Sequence, residues 1–186
     1  MRAGLASGKP KGEVIMRRTF AVLAAASLLL AGLVAPAAAG SNSRPFKGSV
    51  SGSVAFVPFT EGCDNYDGFN LSSVSTARGQ VSHMGRTSMS AVHCTPDFGV
   101  EDVLGGQMTL EAANHDKVFI AYEGTAPFPG PGVEVVVATL VFEILDGTGR
   151  FEGATGGGDM IGHIVNEGMD DFEWPATWHW KGKIGY

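Results

Sequence analysis

The sequence predicts an all-β protein built as a single eight-stranded antiparallel β-barrel, calycin-like in shape. Polar and apolar residues alternate in stretches along residues 46–186, and clusters of Gly, Pro, Asn and Asp separate those stretches. None of the stretches shows the 3.6-residue period of a helix. Eight strands without helices must hide their edges, and closing the sheet into a barrel does so economically. A barrel of eight strands is filled by its own side chains or holds one small ligand.

The predicted strands follow the alternating stretches in chain order. In the first strand Ser51 points to one face, while Val50 and Val54 point to the other. In the last strand Trp178 and Trp180 share a face in the same way. The predicted strands span residues 46–57, 73–84, 86–94, 106–113, 117–124, 133–145, 160–166 and 177–186.

The sixth predicted strand, residues 133–145, is apolar on both faces. Val137 and Val141 lie on one face, and Leu140 and Phe142 lie on the other. A strand that is apolar on both sides in a small antiparallel protein indicates that another subunit covers its outer face. The sequence therefore predicts a homo-oligomer.

Residues 1–39 are predicted to be a leader and signal peptide that is removed. Arg17 and Arg18 form a basic n-region, residues 20–34 form the apolar region, and the small residues 37–39 precede cleavage before Gly40. Residues 40–45 are expected to be a flexible N-terminus, followed by the barrel domain at 46–186. The prediction is a secreted, extracellular protein without a membrane span, because the apolar run is too short and no second one follows.

The charge of the mature chain argues against nucleic acid as a partner. Without the five basic residues and one acidic residue of the leader, the chain keeps 8 Lys and Arg against 18 Asp and Glu, a formal net charge of −10. Nucleic acid and anionic membrane surfaces repel such a protein, and the same charge keeps it soluble in an external medium.

Both cysteines, Cys63 and Cys94, lie in the predicted mature chain. In an oxidising compartment an isolated pair of cysteines is most simply a disulfide, which stabilises the fold by roughly 3–4 kcal/mol in the chain-entropy model. A redox-active pair is normally closer in sequence, and a zinc site needs more ligands. The sequence therefore predicts a structural disulfide between Cys63 and Cys94.

The glycine-rich stretch at residues 147–159 is predicted to form a corner of the barrel and a short strand. Its glycines permit left-handed backbone and close approach of neighbouring strands, and Phe151 is its large apolar anchor. A phosphate-binding loop would need a Lys-Ser/Thr pair and a following helix, and the stretch has neither. No cofactor is therefore predicted.

The same stretch carries a family resemblance. The motif GTGRFEGATG at residues 147–156, a preceding strand VFEI, and a closing strand WKGKIGY resemble the allene oxide cyclase barrel superfamily, which includes the dirigent-like proteins and secreted bacterial members. The segment LEAANHDKVF at residues 110–119 is similar to a hairpin of the bacterial members. The resemblance implies an eight-stranded barrel, often trimeric, with an apolar cavity. It carries over no catalytic residue, because the plant enzymes' polar residues have no matching positions in this chain.

Aromatic residues on the predicted strands are the candidates for binding a ligand. Most such residues simply fill a core, whereas those at the mouth of a cavity stack on an apolar ligand. The candidates are Phe119, Tyr122, Phe142, Phe151, Trp178 and Trp180.

Four polar residues are candidates for a catalytic or polar contact. Glu123, Glu143, His83 and His163 would serve as proton donors or acceptors if their faces pointed into the barrel. The five histidines have no His-x-His or His-Glu-x-x-His spacing. No metal site is predicted on that basis, although a site assembled across strands stays open.

Two hypotheses for function follow. The first is a non-catalytic secreted barrel that binds a small hydrophobic ligand in its cavity or serves as a structural exoprotein, since no nucleophile and base are paired in the sequence. The second is an allene oxide cyclase-like or dirigent-like enzyme or guide, which shapes the cyclisation or coupling of a reactive hydrophobic intermediate. Such an enzyme needs a dry, shaped cavity and one or two polar groups inside it.

Overall fold

Eight strands close into an antiparallel barrel in the computed structural model, which describes residues 42–58, 69–96, 102–127, 129–168 and 173–186. Each strand pairs with the next along the chain, and β8 pairs with β1. The strands are β1 (Arg44–Pro58), β2 (Phe69–Val81), β3 (Gly85–Pro96), β4 (Asp102–Ala112), β5 (Lys117–Thr125), β6 (Val135–Gly147), β7 (Thr155–Val165) and β8 (Glu173–Gly185). Within the described ranges there is no α-helix, and the predicted fold class is confirmed.

Strict alternation of burial shows why these residues form strands. On β6, Val136, Leu140 and Ile144 are buried while Val137 and Val141 between them are exposed. The side chains of a strand point alternately to its two faces, so every second residue faces the barrel interior. The interior is apolar because the alternating apolar residues of all eight strands meet there.

The glycine run at residues 156–158 lies in β7, which corrects the prediction that the seventh strand begins at residue 160. The corner itself contains the 3₁₀ turn Gly149–Phe151, after which β7 begins at Thr155. Glycine is needed within β7 because the neighbouring strands approach closely. A Cβ on Gly157 would lie 2.5 Å from the carbonyl oxygen of Phe142 on β6.

The barrel has two different ends. At the first, called the turn end, short connections join β2 to β3, β4 to β5 and β6 to β7. Phe151 is fully buried there and packs edge-on against Tyr186, with ring centroids 5.0 Å apart. Asp146 holds the corner in place, since its carboxylate accepts hydrogen bonds from the backbone N–H groups of Gly147 (2.7 Å) and Gly153 (2.9 Å). These two bonds lower the pKa of Asp146.

The opposite end, called the loop end, is where β1, β3, β5 and β7 finish and the next strands begin. The connections there span 5 to 10 residues, against 3 to 7 at the turn end. Binding sites in small barrels lie at such a mouth, because long loops supply varied side chains on a rigid scaffold.

Several predictions fall on residues that the structure does not describe. The signal peptide, its cleavage site and Cys63 lie outside the described residues, so the disulfide stays a prediction. Cys94 lies on β3 and is 3% exposed. In the described part of the chain, no helix is long and apolar enough to cross a membrane.

Candidate ligand site at the loop end of the barrel

Short side chains cover much of the inner face of the barrel toward the loop end. They are Ser73 and Ser75 on β2, Ala91 on β3, Ala138 on β6 and Ala176 on β8, and all are buried. Larger residues fill the turn end, where Phe46, Leu110, Val118, Phe151 and Ile184 are 0% exposed. The inner face toward the loop end therefore carries more short side chains than the turn end, although larger buried residues such as Val54, Leu140 and Trp178 stand among them.

Three aromatic side chains stand among these small residues. Phe56 on β1 packs edge-on against Trp174 on β8, with ring centroids 4.9 Å apart. Tyr122 lies on the inner face of β5 and is buried. Aromatic rings next to short side chains give the loop end an apolar lining, to which the hydroxyl of Tyr122 adds a polar group.

A β-bulge in β4 shapes the wall between β3 and β5. The pairing of β4 with β5 shifts register between Val103 and Gly106, and the pairing of β3 with β4 shifts between Val92 and Cys94. Gly105 within the bulge has a φ of +62°, a conformation that favours glycine. Bulges of this kind redirect the side chains around them.

Gly106 leaves room for a contact that crosses β4. A Cβ at Gly106 would clash with the backbone oxygen of Tyr122 and lie 2.6 Å from its ring, so glycine is needed for this close approach. His93 on β3 thereby reaches Tyr122 on β5, with 2.9 Å between Nδ1 and the phenol oxygen and 5.7 Å between ring centroids. The sequence of β4 thus permits a polar pair between two strands that are not neighbours.

Burial keeps both members of this pair neutral near pH 7. It lowers the pKa of His93 to about 4 and raises the pKa of Tyr122 above its ordinary value, because a charge is poorly solvated in the barrel wall. A neutral imidazole and a phenol share one hydrogen bond and keep one further polar hydrogen, on Nε2 of His93 or on the hydroxyl of Tyr122. That hydrogen is available to an acceptor atom of a ligand.

A second polar hydrogen lies inside the barrel at Trp180. Its side chain is 3% exposed, and its indole Nε1 has no hydrogen-bond partner among the described residues. A buried donor left without an acceptor costs on the order of 1–3 kcal/mol. An oxygen atom of a ligand or of a bound water would remove that cost.

The predicted ligand-binding residues divide between the inner and outer faces. Tyr122, Phe142, Trp178 and Trp180 are buried in the barrel interior. Phe151 is also buried, but it lies at the turn end. Phe119 is half-buried, on the opposite face of β5 from Tyr122, so it does not line the interior.

The four catalytic candidates all lie outside the barrel. Glu123 and Glu143 are exposed on the outer faces of β5 and β6. His83 is exposed in the turn between β2 and β3, where its Nε2 lies 3.0 Å from the carbonyl oxygen of Pro45. His163 is exposed on the outer face of β7. The structure brings none of them to the His93–Tyr122 pair.

His93 is the site residue that sequence reasoning missed. The alternation along β3 could have identified it as an inward-facing residue, because His93 continues the inward row of Thr87, Met89 and Ala91. The contact with Tyr122 had no such signal, since it depends on the register of a third strand.

A separate groove lies on the outside of the barrel. It has a volume of about 540 Å³ and runs across β1 to β4, where Arg78 and Glu111 stand among serine and threonine side chains. No aromatic side chain lines it, so its polar character differs from that of the interior. In the described residues, no group of three or more His, Cys, Asp or Glu is placed to hold a metal ion.

Comparison of the chain with models of protein families, with curated proteins and with solved structures finds no match. The residues of the barrel are therefore the basis for assigning a function.

Proposed function

We propose that the protein is an exported, non-catalytic β-barrel that binds one small, mainly apolar molecule inside the loop end. The observation that carries the proposal is the neutral His93–Tyr122 hydrogen bond at that end, where buried serine and alanine side chains and the Phe56–Trp174 ring pair also lie on the strands. An apolar pocket with a few convergent polar groups is the usual character of a small-molecule site. The allene oxide cyclase-like resemblance, which implies an apolar cavity, agrees with it.

The polar groups indicate what the ligand must carry. The His93–Tyr122 pair offers a polar hydrogen at the loop end, and the indole of Trp180 offers a second one deeper in the barrel, toward the turn end. A carbonyl or hydroxyl oxygen on an apolar skeleton supplies an acceptor without bringing a charge into the barrel. A carboxylate is disfavoured, since neither His93 nor Tyr122 is positively charged near pH 7.

Native mass spectrometry of the protein as secreted tests the proposal, combined with organic extraction of the same sample. We expect an uncharged, oxygen-bearing molecule bound at one per barrel, with weaker retention in Tyr122→Phe because that variant loses the phenol hydroxyl. If extraction yields nothing and added apolar molecules do not bind, the interior is packed solid. A structural exoprotein is then the better description.

The enzymatic alternative has less support. A cyclase or coupling guide needs an acid or a base at the reacting centre. The four residues that would have supplied one, Glu123, Glu143, His83 and His163, are exposed on the outside of the barrel. None of the predicted acid or base residues is therefore inside the barrel, and the His93–Tyr122 pair alone is no evidence of a reaction, so we do not propose catalysis.

We also propose that a second copy of this chain covers the outer face of β6 and β7, within a homo-oligomer such as a trimer. An apolar stripe lies there, formed by Val135, Val137, Val141, Leu145, Ile161 and Val165, each at least 42% exposed. The six residues lie on two paired strands, and Thr139, Glu143, Asp159 and His163 stand between them on the same face. Patches of this kind on soluble proteins mark contacts with other proteins.

Light scattering at micromolar concentration tests the oligomer. The wild-type chain should have a mass of two or more copies, and Val141→Lys should reduce it to one by placing a charge in the centre of the stripe. Ser88→Lys, on the polar outer face of β3, is the matched control and should leave the mass unchanged. A monomeric wild-type protein would contradict the proposal.

A further inference from the structure

Three of the five histidines are already engaged in hydrogen bonds. His83 contacts the carbonyl oxygen of Pro45, His93 bonds to Tyr122, and Nδ1 of His115 lies 2.7 Å from the carboxylate of Glu111. The other two, His163 and His179, form no side-chain hydrogen bond with the described residues. Their ring nitrogens are therefore free to bind something else.

These two histidines contact each other on the outside of the barrel. His163 lies on β7 and His179 on β8, and Ile161 pairs with His179 while His163 pairs with Thr177. The two side chains are thus diagonal neighbours on one face, and both are exposed. Their ring centroids are 5.9 Å apart, and the ring planes are inclined by 73°.

The separation of the two rings is close to that of two imidazoles on one metal ion. With metal–nitrogen bonds of roughly 2 Å and tetrahedral angles, the centroids of two bound imidazoles lie roughly 5 Å apart. The observed separation needs to close by less than an ångström, which a small rotation of two exposed side chains provides. Both residues are held on paired strands, so the site does not have to be assembled from flexible chain.

We propose that His163 and His179 form a two-histidine site for a divalent transition-metal ion, with Zn²⁺, Cu²⁺ and Ni²⁺ as the class of ligand. Imidazole nitrogen suits these ions, whereas Mg²⁺ and Ca²⁺ prefer oxygen ligands. The chain supplies two ligands only, because no third His, Cys, Asp or Glu joins them in the described residues. Water fills the remaining positions, or a histidine of a second copy does so.

The two histidines lie beside the apolar stripe on β6 and β7. His163 pairs directly with Val137 of the stripe, across the ladder between β7 and β6. A metal bound there sits at the rim of the surface that a second copy is proposed to cover. The metal site does not depend on the ligand in the barrel or on the oligomer, since both histidines belong to one chain.

Calorimetric titration of the mature chain with ZnCl₂ tests the site, using protein without a polyhistidine tag. We expect one ion per chain, or one per two chains where copies share it, released by a chelator. His163→Ala and His179→Ala should each weaken binding by at least about tenfold. His115→Ala is the matched control, an exposed histidine elsewhere, and should bind as the wild type does.

Thermal melts of the three variants verify that the fold is kept, which we expect because all three side chains are exposed. Nitrogen hyperfine structure in the spectrum of bound Cu²⁺ should show two imidazoles in the wild type and one in each single variant. The proposal fails if the wild-type chain takes up no ion. It also fails if both single variants bind like the wild type, or if His115→Ala is the variant that loses binding.

Discussion

At position 93 a histidine ends an inward row of residues that is otherwise short or apolar. A polar group at such a position costs stability unless it is hydrogen-bonded, and Tyr122 supplies the bond. The pair also leaves the barrel with a neutral hydrogen-bond donor at the loop end. One substitution at His93 therefore affects both stability and the proposed binding site.

The first prediction concerns acid stability. The pKa of His93 is lowered from 6.5 to about 4 in the folded chain, so the unfolded chain takes up a proton first as the pH falls. The contribution of neutral His93 to the free energy of unfolding is complete above about pH 6.5 and declines as the pH falls toward 4. Below pH 4 it does not change further. With about 1.4 kcal/mol per pKa unit, and because His93 is half-buried, the free energy of unfolding should fall by roughly 1–3 kcal/mol. Urea denaturation at several pH values between 7 and 4.5 measures this fall in the free energy of unfolding.

His93→Gln should remove most of this pH dependence, because glutamine does not titrate. The matched control is His115→Gln, which changes an exposed histidine in the turn between β4 and β5. It should retain the decline seen in the wild type. An unchanged pH profile in His93→Gln would show that His93 is not the group responsible.

The second prediction concerns Gly106. Gly106→Ala places a methyl group against the backbone oxygen of Tyr122 and 2.6 Å from its ring, so the strands must shift, and we expect the bond to His93 to be lost. Overpacking of this kind should lower the free energy of unfolding by about 1–3 kcal/mol, as measured by urea denaturation. Gly130→Ala is the control, since no atom lies within 4 Å of its new methyl group. Equal stability of the two variants would contradict the described role of Gly106.

At the scale of elements, the eight strands could be predicted because their faces differ so strongly. Val50 and Val54 are buried and Ser51 is exposed on β1, as the alternation predicted. The prediction failed at the start of β7, because Gly156, Gly157 and Gly158 have no side chains that alternate. The close approach of β6 and β8, which requires glycine, is a property of the folded sheet and is not visible in the sequence.

The bulge in β4 was beyond sequence reasoning for a related reason. Leu104, Gly105 and Gly106 suggest a break in a strand, and the sequence does not tell which neighbouring side chains a bulge redirects. That depends on the register of β3 and β5 against β4. The aromatic half of the site was therefore predicted through Tyr122, while its histidine partner was not.

The third prediction concerns the corner between β6 and β7. Phe151→Ala removes a fully buried ring at the turn end and should lower the free energy of unfolding by about 3–5 kcal/mol. Phe151→Leu keeps most of the apolar volume and should cost clearly less. Both are measured by denaturation with urea, and a small effect of the alanine variant would mean that Phe151 does not close that end.

At the scale of the whole molecule, the closed barrel was the part that the sequence determined best. A chain of eight amphipathic strands joined in sequence leaves two exposed edges, and pairing β1 with β8 removes both. Function was less accessible, since it depends on which inward residues meet inside the barrel. Charge and periodicity place Glu123 and Glu143 on strands without telling which face of the closed sheet is the interior.

The central claim is that the loop end of the barrel holds a small apolar molecule. Titration with an uncharged, environment-sensitive naphthylamine fluorophore tests it most directly, with Ala91→Trp filling the inner face and Ser90→Trp placing the same ring outside as the control. We predict that the wild type and Ser90→Trp bind one fluorophore per barrel and that Ala91→Trp binds none while remaining folded. No binding to the wild type, or equal binding to the two tryptophan variants, would contradict the claim.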